Sequence, residues 1–252
     1  MLIINADDWG GWAAATDTAL ASYRKGRISR VSAMVFMEDS ERAAALAREA
    51  DMDVGLHLNF SQRFTNETRA HRQVAESHRS VVRFLRSSKY ALLLYNPLLR
   101  KQFREVFQAQ VDEFVQLYGK PPSHYDGHQH MHLSSNVLMG HLLPDGARVR
   151  RSFSFFPGEK SVINRAYRRW VDRRLAARHR LTDYFCSLSQ QEKWGRFDRV
   201  TSLARTAMVE LMVHPERREE SDYLTSGEFG AILSQIQLET VASPATANSV
   251  QQ

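Results

Sequence analysis

Apolar positions in the early part of the chain follow two different periods. Short apolar runs at Leu2–Asn5, Val31–Phe36 and Asp53–Asn59 alternate with stretches at 13–25 and 41–50, where apolar residues return every third or fourth position. The first kind predicts strands and the second helices, so the chain reads as a repeated strand–helix unit. Short runs joined by helices point to a parallel sheet buried on both faces, an α/β fold. Further strands are expected at 123–126 and 207–213, the latter leading into His214-Pro215, with the proline marking the exit.

Two segments interrupt the alternation. From Phe60 to Tyr118 the pattern is polar and helical, with an apolar patch at Tyr90–Tyr95 and a break at Asn96-Pro97, which reads as an inserted helical flap. Over 161–180, Ile163, Tyr167, Trp170, Val171 and Leu175 recur at helical spacing among arginines. This is a basic amphipathic helix, expected to lay those apolar residues on the body of the fold and leave its arginines in water. Residues 241–252 are small and polar without periodicity and read as a frayed tail. With no repeat and no linker, residues 1–240 are expected to form one domain.

Composition narrows the class. A chain of 252 residues with 43% hydrophobic and 25% charged residues matches a globular protein and excludes a disordered one. The apolar patch at 90–95 is far shorter than the roughly 20 residues of a membrane span. No basic leader or cleavage site precedes the first acidic residues, which predicts a cytoplasmic protein. With a single cysteine, Cys186, there is no intrachain disulfide and no thiolate-rich zinc site, so a metal must use histidine and carboxylate. The net charge of +6 is concentrated, because 148–180 holds eleven Lys/Arg against Glu159 and Asp172.

Four segments carry candidate chemistry. Asp7-Asp8 follows the first strand, and adjacent carboxylates repel unless a cation or proton lies between them. Both can serve one site only if the chain turns there, which Gly10-Gly11 would permit. His57 and Asn59 share a face of the third strand. His124-Tyr125-Asp126-Gly127-His128-Gln129-His130-Met131-His132 packs four of the ten histidines into nine residues, which favours a metal site, in which only about three protein groups need be ligands, over a pH-sensing or structural cluster. His214 ends the last strand. Each alone also fits a plain role: a solvated turn for the aspartates, a core position for His57, a solvent-facing strand end for His214. Together they place acidic or imidazole groups at four strand ends, which barrel geometry would bring to one mouth.

Read in order, Asn-Ala-Asp-Asp-Trp-Gly (5–10), Gly-Leu-His-Leu-Asn (55–59), Asp-Gly-His-Gln-His-Met-His (126–132) and Glu-Leu-Met-Val-His-Pro (210–215) resemble the YdjC-like carbohydrate deacetylases, the family of diacetylchitobiose deacetylase and the hopanoid-associated deacetylases. The chain departs from that family at Trp9, where phenylalanine is usual, and at Gly127, where serine is common. The resemblance implies a distorted (β/α) TIM-like barrel. It implies one divalent metal ion held by Asp8, His57 and His128, with Asp7 as the base that activates water and His214 as general acid or oxyanion stabiliser. Asp126 and His130, with Asn59, would then lie behind the ligands or against substrate. The substrate implied is an N-acetylated amino sugar, free or lipid-linked. Asp/His ligation suits magnesium, zinc, manganese or cobalt alike.

Two other readings use the same residues: metal-dependent phosphodiester hydrolysis of nucleic acid, drawing on the basic segment, and a barrel that binds carbohydrate without catalysis. Nucleic acid is the less favoured partner, because the basic segment lacks a motif of its own. For the helix over 161–180, the functional alternative to solvated charge is attachment to an anionic membrane surface, peripheral to the inner membrane. The patch at Tyr90–Tyr95 is a candidate for the same surface or for a homodimer contact.

Overall fold

The computed structural model describes residues 1–193, 197–234 and 236, so the expected tail at 241–252 lies outside the described residues. Six strands, β1 (Leu2–Trp9), β2 (Arg30–Ala33), β3 (Val54–Leu58), β4 (Tyr125–Gly127), β5 (Tyr184–Ser187) and β6 (Val209–Val213), form one sheet in the order β4-β3-β2-β1-β6-β5. All five pairings are parallel. The helices are α1 (Ala13–Arg24), α2 (Ser40–Glu49), α3 (Arg72–Arg86), α4 (Arg100–Tyr118), α5 (Ser135–Met139), α6 (Val162–Ala176), α7 (Leu188–Lys193), α8 (Phe197–Ala204), α9 (Arg218–Thr225) and α10 (Gly227–Leu233).

The sheet curls because a segment over 147–154 ties its two edges together. Arg150 N donates to Tyr125 O of β4 at 2.9 Å, Val149 N to Arg180 O at 3.0 Å, and Ser154 N to Phe185 O of β5 at 2.9 Å. The result is the distorted barrel expected of the sequence, with the polar edge groups of β4 and β5 satisfied by this one irregular segment.

The two faces of the sheet differ in chemistry. Leu2, Ile4 and Ala6 of β1, Leu56 of β3 and Leu211 of β6 face outward and meet the helices in one apolar core. The inward face is polar: Asn5, Asp7, Arg30, Ser32, His57, His124, Asp126 and Glu210 are all buried there. Gly55 makes room for this lining, since a Cβ at that position would lie 2.3 Å from the His124 ring.

The segment over 60–118 is helical, as expected, and its two long helices differ in depth. α4 buries Phe103, Val106, Phe107 and Phe114 in the core and stops at Gly119, whose φ of 69° closes the helix. Inside α4, the buried Gln110 accepts the Asn59 N–H at 2.7 Å, so this helix is the crossover from β3 to β4, and α3 is the addition packed outside it. Tyr90, Leu94 and Leu98 stand exposed between α3 and α4.

The basic helix also departs from expectation. Val171 and Leu175 turn inward, but Ile163, Tyr167 and Trp170 point to solvent. Their places on the inner face are taken by Arg168, stacked over Phe155 at 4.8 Å, and by Asp172, which accepts from Arg151 Nη2 at 2.7 Å. A guanidinium held over an aromatic ring buries apolar area as an aliphatic side chain would, and periodicity does not foresee it.

Candidate active site

β1 delivers both aspartates to one place by a local distortion. Its register with β2 slips between Ala6 and Trp9, and Asp8 adopts φ 62°. Alternation alone would send Asp7 and Asp8 to opposite faces of the sheet. The left-handed step at Asp8, where the short polar side chain of Asp tolerates that region, turns both inward. The turn lies at Asp8 itself, earlier than the expected Gly10-Gly11.

Asp8 then gathers the histidines. Its Oδ1 lies 2.8 Å from His128 Nδ1 and 3.2 Å from His57 Nε2, and its Oδ2 lies 3.9 Å from His214 Nε2. The donor atoms of Asp8, His57 and His128 all fall within 4.8 Å of one another. His57 Nδ1 donates to Asp126 Oδ1 at 2.8 Å. In the neutral ring Nε2 is therefore left with a lone pair aimed at a carboxylate oxygen, an arrangement that needs a cation or proton between them. With protein groups alone around it, burial lowers His57, but the charges of Asp126 and Asp7 and the hydrogen bonds to Asp126 and Asp8 outweigh it and push the imidazole up to about 10. Burial raises Asp8, yet hydrogen bonds from His128 and His57 hold it well below the usual carboxylate range.

Charge counting agrees with a divalent cation. With His57 neutral, as a metal ligand must be, the buried carboxylates Asp7, Asp8, Asp126 and Glu210 face the buried guanidiniums of Arg30 and Arg150, which leaves two negative charges. Isolated buried charge is costly, so a doubly positive ion suits the set. The residues present thus fit a metal in both donor type and charge.

Arg150 is the residue that sequence reasoning missed. Fully buried, it donates through Nη1 to Asp7 Oδ2, through Nη2 to Asp7 Oδ1 and Asp126 Oδ2, and through Nε to Glu210, each at 2.7 Å. Asn5 Nδ2 adds a bond to Asp7 Oδ1 at 2.8 Å. Asp7 Oδ2 accepts from Arg150 alone among the described hydrogen bonds, which leaves it capacity to accept a proton.

The histidine-rich segment separates into different roles. Gln129 and His130 adopt φ 52° and 59°, so the chain folds back directly after β4. His128 reaches Asp8, whereas His124 bonds Ser32 Oγ at 3.0 Å inside the barrel and His132 Nε2 donates to the Arg150 carbonyl at 3.0 Å. His130 sets its ring edge-on to Phe153 with centroids 4.6 Å apart, and its buried Nδ1 has no hydrogen-bond partner among the described residues. Asn59 does not join the cluster: its Oδ1 accepts from Gln62 N at 2.9 Å and shapes the turn leaving β3.

His214, at the end of β6, is buried, and its backbone N–H donates to Glu220 Oε2 at 2.7 Å. Burial lowers its imidazole, opposed by the charges of Asp7 and Asp8. Two residues on, burial pushes Glu216 up to about 7, with Asp8 adding to the shift. No pattern in the sequence marks Glu216 or Glu220, since both sit in a charged run that reads as surface.

The chain is 29% identical over 251 residues to the carbohydrate deacetylase of Mus musculus, covering 85% of this chain and 77% of that protein. It is 25% identical to the chitooligosaccharide deacetylase of Yersinia enterocolitica, across 100% of this chain and 94% of the relative. In fold it is similar to a crystal structure from Enterococcus faecalis named for cellobiose-phosphate cleavage, with a TM-score of 0.64 at 19% identity over 95% of this chain and 96% of that one. The family model described as YdjC-like protein matches residues 1–252, and the chain belongs to that family.

Proposed function

We propose that this protein is a metal-dependent hydrolase that removes the N-acetyl group from an acetylated amino sugar. The observation that carries the reading is the convergence of Asp8, His57 and His128 beside an arginine-clamped Asp7 and a buried His214. The names of the relatives supply the substrate class. A divalent cation held by Asp8, His57 and His128, whether magnesium, zinc, manganese or cobalt, supplies Lewis-acid polarisation of the acetyl carbonyl and a lowered pKa for the attacking water.

The chain's own residues supply the rest. Asp126 orients His57 through Nδ1. Asp7, held by Arg150, takes the water's proton through Oδ2. His214 faces the reacting amide with Nε2, where its N–H would stabilise the oxyanion, and the proton taken by Asp7 would pass to the departing amine as the C–N bond breaks, which returns Asp7 to its carboxylate form. His130 and Phe153, both half-buried, stand next to the ligand loop as a wall for the sugar, with the buried Phe185 packed behind them.

Acetate release from di-N-acetylchitobiose tests the reading. Chelation is expected to abolish release and added divalent metal to restore it. Asp7→Asn is expected to retain metal and lose about 10²- to 10⁴-fold in kcat, the range for a general base. His128→Ala should lose metal and activity together. Wild-type turnover in Asp7→Asn would remove Asp7 from its role, and release that survives chelation would overturn the metal.

A further inference from the structure

α6 divides its surface into three stripes. Arg168, Val171, Asp172 and Leu175 turn inward, as described above. Ile163, Tyr167 and Trp170, spaced four and three residues apart, fall on one outer line and are 83%, 38% and 49% exposed. Val162 beside them is 66% exposed. The rings of Tyr167 and Trp170 stack with centroids 6.1 Å apart, and Arg174 lies over the Trp170 ring at 5.3 Å. Arg169 and Arg173 flank the line and are exposed. The helix's one acidic residue, Asp172, is turned inward onto Arg151 and Ser152, so the outer face carries arginines and no carboxylate of its own.

We propose that this face seats α6 lengthwise in the surface of an anionic lipid bilayer. A large aliphatic side chain left four-fifths exposed, followed by tyrosine and tryptophan on one helical line, has the composition of a helix that lies in the headgroup region. Tyrosine and tryptophan suit that depth because each joins an apolar ring to a polar tip. Arg169, Arg173 and Arg174 reach outward to lipid phosphates while their stems stay with the acyl boundary. Charge complementarity selects the occupant. A second copy of the same face would set arginines against arginines, whereas an anionic headgroup layer neutralises them. The contact is peripheral, since no helix among the described residues is long and apolar enough to cross a membrane.

The test is sedimentation of the full chain with vesicles of phosphatidylcholine alone or of phosphatidylcholine with phosphatidylglycerol, at low and high salt. Wild type is expected to sediment with the phosphatidylglycerol vesicles at low salt, to be released at high salt, and to stay in solution with the neutral ones. The Ile163→Ser/Trp170→Ser double variant is expected to lose at least about tenfold in vesicle partition. Both side chains are exposed, so thermal midpoint and acetate release from a soluble chito-oligosaccharide should be unchanged, which separates this proposal from the catalytic one. Three outcomes overturn it: wild type that ignores anionic vesicles, a double variant that binds as well as wild type, or a dimer in solution that the double variant dissolves.

Discussion

Arg150 decides how two adjacent aspartates divide their work. Its fork spans both oxygens of Asp7 and one of Asp126, and its Nε holds Glu210, so it fixes Asp7, the proposed base, and Asp126 behind His57 in one rigid unit. Burial alone lowers the Arg150 pKa, but Asp126, Asp7 and Glu210 outweigh it and hold the side chain well above its usual value, permanently charged. An ammonium cannot reproduce that planar fork. Arg150→Lys is therefore expected to keep metal near stoichiometric by elemental analysis while kcat for acetate release falls about 10²-fold, the scale of a small misplacement of a catalytic group. A variant with wild-type kcat would show that Asp7 needs no clamp. Arg150 was illegible in the sequence because it stands among Arg148 and Arg151, in a run that reads as surface charge. Asp7, Asp8, His57, His128 and His214 were legible because each residue type is uncommon at the end of an apolar strand.

Elements were legible to the degree that burial follows periodicity. β1, β3 and β6 alternate around one apolar face and appear where expected, whereas β5 is four residues long and was not foreseen. α6 misled because the Arg168 guanidinium and the Asp172 carboxylate replaced aliphatic side chains on its inner face. α3 offers a test at this level. Its His78 stacks flat on Phe64 at 3.6 Å and donates through Nε2 to the Asn59 carbonyl at 3.1 Å, and burial lowers it to about 4. The unfolded chain takes up a proton near the ordinary value of 6.5, while the folded protein resists until about pH 4. Stability should therefore fall as pH drops through that window, by about 2 kcal/mol between pH 7 and 5 for this group. His132, lowered by burial to about 4, adds to the same loss. Urea midpoints at the two pH values should differ less in His78→Gln than in wild type, and equal slopes would assign the acid sensitivity elsewhere.

The whole molecule turns on a barrel interior that is charged instead of aliphatic. Asp8 and His128 are 120 residues apart in sequence, and closure of the barrel through 147–154 brings Arg150 between them and β6. With His57 neutral the interior carries two uncompensated negative charges, so a divalent cation is expected to stabilise the fold as well as to activate it. At about 100 times its Kd the ion should add about 2.7 kcal/mol, a rise of roughly 5–10 °C in thermal midpoint for a domain of this size. Calorimetry with chelator and with added metal measures this, and His128→Ala should show a much smaller rise. Equal midpoints with and without metal in wild type would break the link between the charge count and the site.

The order of residues by itself determined the parallel strand–helix architecture, the family, and the aspartates and histidines at the strand ends, because those depend on local period and on residue types that stand out from their neighbours. Only the tertiary structure decided that Asp8 turns left-handed to join Asp7 and that Arg150 leaves its basic run for the barrel interior. The folded chain alone also shows that Asn59 shapes a turn instead of the site, and that Ile163, Tyr167 and Trp170 face outward. Each of these is settled by which distant partner can satisfy a buried charge or cover a surface, and such partners are brought together by folding and not by proximity along the chain.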